Sequence, residues 1–286
     1  MGSITAEGEP TAELDAGLLV RGWEALAGRQ PARDVLISWA ARTDIGRVRE
    51  NNEDKFDFYL PDEPEILAVK GRLWAVADGM GGHNAGQIAS EAALKTIIRA
   101  YFADPGENVA DSLRAAFADA NALIYHAASQ FPDRSGMGTT GVVTVVRDGS
   151  LTVAHVGDSR VYLLRGGELR QMTTDHSWVE EQVQRGALTR AEAESSPYRN
   201  MITRSIGMGS NVQVDISEET LEAGDTVLLC SDGLTGHMDA AALAELLRKP
   251  PSAAVFALID AANDAGGRDN ITALALSVRG VGPYEG

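Results

Sequence analysis

The stretch that decides the fold is Leu73-Trp74-Ala75-Val76-Ala77-Asp78-Gly79-Met80-Gly81-Gly82, in which an apolar run ends in a carboxylate and a glycine-rich turn. The same pattern returns downstream as Val227-Leu228-Leu229-Cys230-Ser231-Asp232-Gly233. Short apolar runs bounded by turn residues predict buried strands, and here each strand would deliver an Asp-Gly pair at its tip. Acids packed together repel one another unless a cation holds them. The two stretches therefore point to an acidic cluster that binds metal.

Strand patterns and helix patterns occur in blocks along the rest of the chain. Predicted strands cover 35–40, 55–60, 73–77, 141–147, 151–156, 160–165, 168–172, 212–218, 226–231 and 271–278, and predicted helices cover 86–102, 109–129, 240–248 and 252–264. Clustered strands and paired helices are typical of α+β folds. We therefore predict a four-layer αββα sandwich, in which two antiparallel β-sheets are flanked by antiparallel helix pairs. A loop is predicted at 61–64, and a polar insertion at about 174–205.

The predicted domain organisation is simple, because no linker long enough to divide the core interrupts these elements. Residues 1–34 form an N-terminal extension whose role the sequence does not reveal, although 14–26 carry apolar residues at helical spacing. Residues 35–280 form one domain, and residues 281–286 form a C-terminal tail.

Composition narrows the class of protein. The 286 residues are 44% hydrophobic and carry a net charge of −16, which argues against nucleic acid or an anionic membrane as a partner. Cys230 is the only cysteine and stands in an apolar run, so we expect a buried core thiol and a reducing compartment. No stretch approaches the roughly 20 apolar residues of a membrane span, and the N-terminus lacks signal-peptide features. We expect a cytoplasmic protein.

Six acids stand where predicted strands meet turns. They are Glu53, Asp54, Asp78, Asp158, Asp232 and Asp269. Oxygen ligands without His or Cys partners suit hard cations such as Mg²⁺ or Mn²⁺. One Asp-Gly pair alone is more typical of a turn than of a metal site. Repetition of the pattern at the ends of apolar runs favours the metal interpretation.

Seven motifs in order resemble those of the type 2C metal-dependent serine/threonine protein phosphatases, in their bacterial form. They are TDIGRVRENNED (43–54), ADGMGGH (77–83), GMGTT (136–140), HVGDSR (155–160), TDHS (174–177), CSDG (230–233) and GRDNIT (267–272). The resemblance covers about residues 35–280. It implies the same sandwich of sheets and helix pairs that the element order predicts.

The resemblance also implies a set of metal ligands, with two core ions and a weaker third. The implied ligands are Glu53, Asp78, Gly79, Asp158, Asp232 and Asp269. Asp78 would bridge the two core ions, and the Gly79 carbonyl would bind the second of them. Asp232 and Asp269 would hold the first ion, and Glu53 would act partly through water. Asp158 would share Asp232 to make the third site.

Other residues match the family pattern around this centre. Arg49 matches the phosphate-binding arginine, while Asp54 and Asn270 would support the ligands. Met80 stands where eukaryotic relatives carry a histidine proposed as a general acid, so we assign no side-chain acid. His83 is expected to be structural or exposed.

Residues 174–205 correspond to the family's flap beside the active site. Arg199 and Arg204 are candidate contacts for a phosphopeptide. For Trp178 we favour tertiary packing, and for Asp175 or Ser177 a helix cap.

The implied function is hydrolysis of phosphoserine and phosphothreonine in proteins, by attack of a metal-bridging water or hydroxide. The partners would be phosphorylated substrates of a bacterial serine/threonine kinase, and a monomer is favoured. Two alternatives stay open. One is a non-enzymatic signalling module on the same fold, which the intact set of Asp78, Asp232, Asp269 and Arg49 argues against. The other is a hydrolase of a different phosphomonoester, which the chemistry of the site alone does not exclude.

Overall fold

The computed structural model describes residues 28–81, 85–236 and 238–285, so the helix predicted at 14–26 and His83 lie outside the described residues. Elements are numbered in chain order. One sheet contains β1 (Arg33–Asp44), β11 (Ile271–Pro283), β10 (Thr226–Cys230), β7 (Arg160–Arg165) and β8 (Glu168–Gln171), in that spatial order. The other contains β2 (Asp54–Tyr59), β3 (Arg72–Met80), β5 (Gly141–Arg147), β6 (Ser150–Val156) and β9 (Asp215–Thr220), with the short β4 (Gly138–Thr139) on the end of β3. Each of these strand pairs is antiparallel.

The helices flank the two sheets and fill the connections. They are α1 (Pro64–Lys70), α2 (Ala85–Ala103), α3 (Val109–Gln130), α4 (Trp178–Gln184), α5 (Arg190–Ser195), α6 (Asp232–Thr235), α7 (Ala240–Leu247) and α8 (Pro251–Asp264). Local sequence sets their starts. Asn108 caps α3 by accepting a hydrogen bond from the Asp111 amide at 3.1 Å, and Pro251 occupies the first position of α8, where its missing N–H costs nothing. Among the described residues, no helix is long and apolar enough to cross a membrane.

Alternation along β3 shows how the layers are built. Leu73, Ala75 and Ala77 pack into the cluster beneath α2 and α3. Trp74 and Val76, on the opposite face, pack between the two sheets. This period of two is what a strand buried on both faces requires. A third cluster lies between the first sheet and the pair α7 and α8. The predicted four-layer αββα sandwich is therefore confirmed.

The structure corrects several predicted boundaries. α1 was not predicted, because only six residues follow Pro64 in it and so short a run shows little periodicity. β1 and β11 pair from Asp44 and Ile271 outward to Arg33 and Pro283, through a bulge near Leu36. The predicted C-terminal tail at 281–286 therefore begins inside a strand, and the N-terminal extension at 1–34 ends inside another. Pairing with a partner strand extends both elements beyond their own apolar runs.

The segment at 174–205 contains α4 and α5 and is closed at its base by backbone bonds. The Trp178 amide donates to the Met201 carbonyl at 2.8 Å, and the Thr203 amide donates to the His176 carbonyl at 2.8 Å. Ser177 caps α4 through its hydroxyl, as predicted. The Trp178 ring packs against Tyr198 with centroids 5.2 Å apart, which confirms the packing role.

Candidate active site

The tip of β3 lies against the start of α2. Asp78 stands opposite Asp54 in the pairing of β2 with β3. A Cβ on Gly79 would lie 2.0 Å from the Gly86 carbonyl oxygen, and a Cβ on Gly86 would lie 2.6 Å from Glu53 Oε2. Only glycine at both positions permits this approach. The contact brings Glu53, Asp78 and the Gly79 backbone to one place.

Two threonines hold Asp78 through its backbone. The Asp78 amide donates to Thr140 Oγ1 at 2.9 Å, and its carbonyl accepts from the Thr140 amide and from Thr139 Oγ1, both at 2.8 Å. Thr140 Oγ1 also lies 2.7 Å from the hydroxyl of Ser159, the residue after Asp158. Thr140 therefore links the strand of Asp78 to the loop of Asp158. The motif at 136–140 was visible in the sequence, but this role was not predicted.

Asp232 and Asp269 meet in the same way from the other sheet. Asp232 begins α6 directly after β10. A Cβ on Gly233 would lie 2.0 Å from the Asn270 carbonyl oxygen, so the two loops touch backbone to backbone. The two Asp-Gly strand ends predicted from the sequence thus lie on facing sheets at one edge of the sandwich.

Burial and mutual repulsion dominate the electrostatics of this edge. Burial, reinforced by repulsion from Asp54 and Asp232, raises the pKa of Asp78 well above its ordinary value. Burial and repulsion from Asp232 do the same to the pKa of Asp158. Burial and the charge of Asp269 raise the pKa of Asp232. Each of these carboxylates therefore lies near enough to another to oppose its ionisation.

These surroundings fit a divalent cation. Among the described side chains, no three His, Cys, Asp or Glu form a ready-made cage. Asp232 Oδ1 is nevertheless buried without a hydrogen-bond partner. A buried carboxylate oxygen without a donor is costly unless a cation takes the donor's place. Carboxylate and carbonyl oxygens are also the ligands that hard cations prefer. The donor set therefore suits Mg²⁺ or Mn²⁺.

Arg49 places a fixed positive charge at the open side of the acids. Its Nη2 donates to Asp269 Oδ2 at 2.7 Å, while 52% of the side chain stays exposed. The hydrogen bond to Asp269 raises the pKa of the guanidinium, and the charges of Asp78 and Glu53 add to the effect. A guanidinium in this position faces solvent with donors to spare and can bind a phosphoryl group.

Asn270 connects the loop of Arg49 to the acids. Its Oδ1 accepts from the Glu53 amide at 2.8 Å, and its Nδ2 donates to the carbonyls of Ile45 at 3.0 Å and Asn51 at 2.8 Å. Both carbonyls belong to the loop between β1 and β2 that carries Arg49. One buried side chain thus makes three bonds to the single loop that carries both Arg49 and Glu53.

Asp54 connects the two sheets beneath the site. Its Oδ2 accepts from the hydroxyls of Ser231 at 2.6 Å and Thr272 at 2.8 Å, and Thr272 in turn meets Thr43 at 2.8 Å. Burial raises the Asp54 pKa to about 7, although the two hydroxyl donors oppose the shift. This geometry suits the supporting role predicted for Asp54. The hydroxyl partners were missed, because they depend on how the two sheets face each other.

Among the described residues, neither predicted flap arginine forms a hydrogen bond or an ion pair with the acids of the site. Arg204 Nη1 forms an ion pair with Asp215 at 2.6 Å and lies 2.9 Å from His176 Nε2. Arg199 is exposed beyond α5. Met80 is half-buried at the end of β3, opposite Gly138, and offers no proton. Cys230 is buried, as predicted, and burial raises its pKa to about 12.

Comparisons with known proteins agree with this fold. Residues 42–182 match the family model described as Protein phosphatase 2C. The chain is 38% identical over 241 residues to the protein phosphatase PhpP of Streptococcus pneumoniae, with 82% of this chain and 95% of the relative covered. It is 37% identical over 245 residues to the serine/threonine protein phosphatase PstP of Mycobacterium tuberculosis, with 85% of this chain covered. Only 45% of that relative is covered, so the chain spans about half of its length.

A solved structure of the catalytic domain of PstP, in complex with two manganese ions, has a TM-score of 0.75 to this chain. The two are 35% identical, with 86% of this chain and 100% of that one covered. The chain belongs to the protein phosphatase 2C family, whose members are metal-dependent.

Proposed function

We propose that this chain hydrolyses phosphoserine and phosphothreonine in proteins and requires divalent metal ions. One observation carries the proposal. Arg49 is held by Asp269 with half of its side chain exposed, directly beside carboxylates whose burial and repulsion favour a bound cation. An anion-binding guanidinium next to a cation-binding cluster is the arrangement that a phosphate ester requires.

The residues of the site have different roles, which follow from the chemistry of their side chains. We assign the core ions to Asp78, Asp232, Asp269, the Gly79 carbonyl and Glu53. Bound divalent ions lower the pKa of water toward neutrality and offset phosphoryl charge. Arg49 binds and orients the phosphoryl oxygens, while Asn270 and the two threonines beside Asp78 keep the ligands in place. Protonation of the leaving oxygen is not assigned to position 80, because methionine carries no proton to give.

We further propose a third, weaker ion at Asp158, with Asp232 shared between sites. The raised pKa of Asp158, which burial and the charge of Asp232 produce, supports a cation there. Mg²⁺ and Mn²⁺ both suit the oxygen donors. A serine/threonine kinase must supply the substrate, since it forms the ester that this site would cleave. The single buried cysteine is consistent with a reducing, cytoplasmic compartment. We further propose that the chain acts as a monomer.

The test compares two substrates under metal control. Hydrolysis of p-nitrophenyl phosphate and of a phosphothreonine peptide is measured with Mn²⁺, with Mg²⁺ and after chelation. We expect both to be hydrolysed with metal and neither after chelation. Failure with every metal would leave only the non-enzymatic module. Hydrolysis of the small ester without any phosphopeptide or phosphoprotein would favour a hydrolase of another phosphomonoester.

A further inference from the structure

Two arginines beside the active site have side chains without partners. Arg47 and Arg268 are exposed, and within the residues that the structure describes neither guanidinium makes a hydrogen bond or an ion pair. Arginines elsewhere are commonly paired, as in the contacts of Arg165 with Asp225 and of Arg160 with Asp175. The chain carries 41 acidic residues against 25 basic ones. Two unpaired guanidinium groups on contacting loops of so acidic a chain call for an explanation.

Both arginines belong to the two loops that form the mouth of the site. The Arg47 amide donates to the Gly267 carbonyl at 2.6 Å. A Cβ on Gly267, whose φ is +50°, would lie 2.7 Å from Arg47 Cγ. Arg268 follows Gly267 and precedes Asp269, the partner of Arg49. The two loops therefore touch where Arg47 meets Gly267. Arg49 and Arg268 lie within two residues of this contact in the sequence.

The local charge is opposite in sign to that of the whole chain. The two loops contain three arginines and two carboxylates, Glu50 and Asp269, and so carry a net positive charge. Their residues are 45–51 and 265–270. Asp269 is already engaged by Arg49. A net charge of −16 repels anionic partners at a distance. A small positive rim at the mouth is the place where an anionic substrate is still attracted.

We propose that Arg47 and Arg268 form a second anion subsite beside Arg49, which favours substrates that carry another phosphate or carboxylate close to the phosphorylated residue. This inference rests on the proposed phosphatase function and names its substrate class. Successive residues of an extended peptide lie about 3.3 Å apart, so a peptide whose phosphate binds Arg49 can bring residues near the phosphorylated one over the same two loops. Guanidinium groups bind phosphates and carboxylates through paired donors.

The expected contribution is modest and mainly affects binding. Exposed ion pairs change affinity by roughly 2- to 5-fold each. A subsite that contacts the substrate equally in the ground state and the transition state changes KM and leaves kcat unaltered. Salt should weaken the preference, because exposed charges are screened within about 10 Å at 0.1 M.

The experiment uses the full chain with Mn²⁺ and three phosphothreonine peptides of equal length. One peptide has neutral flanks, one has Asp and Glu flanks, and one carries a second phosphoserine. Values of kcat and KM are measured for the wild type, for Arg47→Ala with Arg268→Ala, and for Arg99→Ala. Arg99 is an exposed arginine of α2 that lies 13 residues beyond Gly86, about 20 Å along the helix, and serves as the matched control.

We expect the wild type to favour at least one anionic peptide by roughly 5- to 20-fold in kcat/KM at low salt. The double variant should lose most of this preference through a higher KM, while its hydrolysis of p-nitrophenyl phosphate stays unchanged. Arg99→Ala should retain the preference. Charge reversal to Glu at both positions should make the neutral peptide the better substrate.

The outcomes separate this inference from the function on which it rests. A wild type that hydrolyses the neutral peptide without preferring either anionic one would overturn the subsite and leave the phosphatase function standing. A preference that survives the double variant, or that Arg99→Ala removes equally, would overturn it as well. The absence of hydrolysis of any peptide would instead contradict the proposed function. Comparison of the two anionic peptides identifies whether phosphate or carboxylate is the better ligand.

Discussion

Replacement of Asn270 with alanine should weaken the fold and the active site together. The side chain is 5% exposed and makes three hydrogen bonds, to the Glu53 amide and to the carbonyls of Ile45 and Asn51. At about 1 kcal/mol for each bond, the free energy of unfolding should fall by about 3 kcal/mol. The affinity for Mn²⁺ should fall by roughly 10- to 100-fold, because groups that orient metal ligands commonly have effects of this size.

Asn121 provides the matched control. It is 1% exposed, accepts from the Gly207 amide at 2.8 Å and donates to the Gly209 carbonyl at 2.9 Å, and lies in α3. Asn121→Ala should cost about 2 kcal/mol of stability and leave the affinity for Mn²⁺ unaltered. Urea unfolding measures the first quantity, and calorimetric titration with Mn²⁺ measures the second. If both variants lose stability in proportion to their hydrogen bonds and both bind Mn²⁺ like the wild type, Asn270 supports only the fold.

Three further changes test the acids. Asp232→Ala should abolish turnover without lowering the melting temperature of the chelated protein, since it removes a buried carboxylate that Asp269 repels; near-normal turnover would refute the ligand assignment. Asp158→Ala should still bind two ions by calorimetry yet turn over slowly, and an unchanged dependence of rate on metal concentration would exclude the third site. Asp54→Asn tests pH dependence. The folded-state pKa of Asp54 is about 7, above the ordinary 3.8, so the folded chelated protein holds a proton that the unfolded chain releases. Its stability should fall as pH rises from about 4 to 7, by at most about 4 kcal/mol from this group. Urea unfolding at pH 5 and pH 8 should show a smaller loss in the Asn variant, and equal losses would contradict the shift.

Local patterns predicted the types of most elements and the residues of the acidic cluster. The apolar run of β3 and the helical period of α2 both reflect how each element is buried against its neighbours, so a single segment is enough to show them. The support of Asp54 could not be predicted in this way. Thr43 and Thr272 stand opposite each other only because β1 pairs with β11 in one register. Pairing between strands more than 200 residues apart leaves no signal in either segment alone.

The two Asp-Gly pairs show a different limit of local interpretation. Sequence alone treats each glycine as a flexible turn residue, yet neither Gly79 nor Gly233 has a positive φ. What both share is lack of space. A Cβ on either would lie 2.0 Å from a carbonyl oxygen, that of Gly86 for the first and that of Asn270 for the second. Each glycine therefore lets the backbone beside its aspartate touch another segment of the site. Gly79 meets Gly86, which itself contacts Glu53, and Gly233 meets Asn270, which follows Asp269. The pattern that first indicated a turn is better explained as the means by which separate strands bring their carboxylates together.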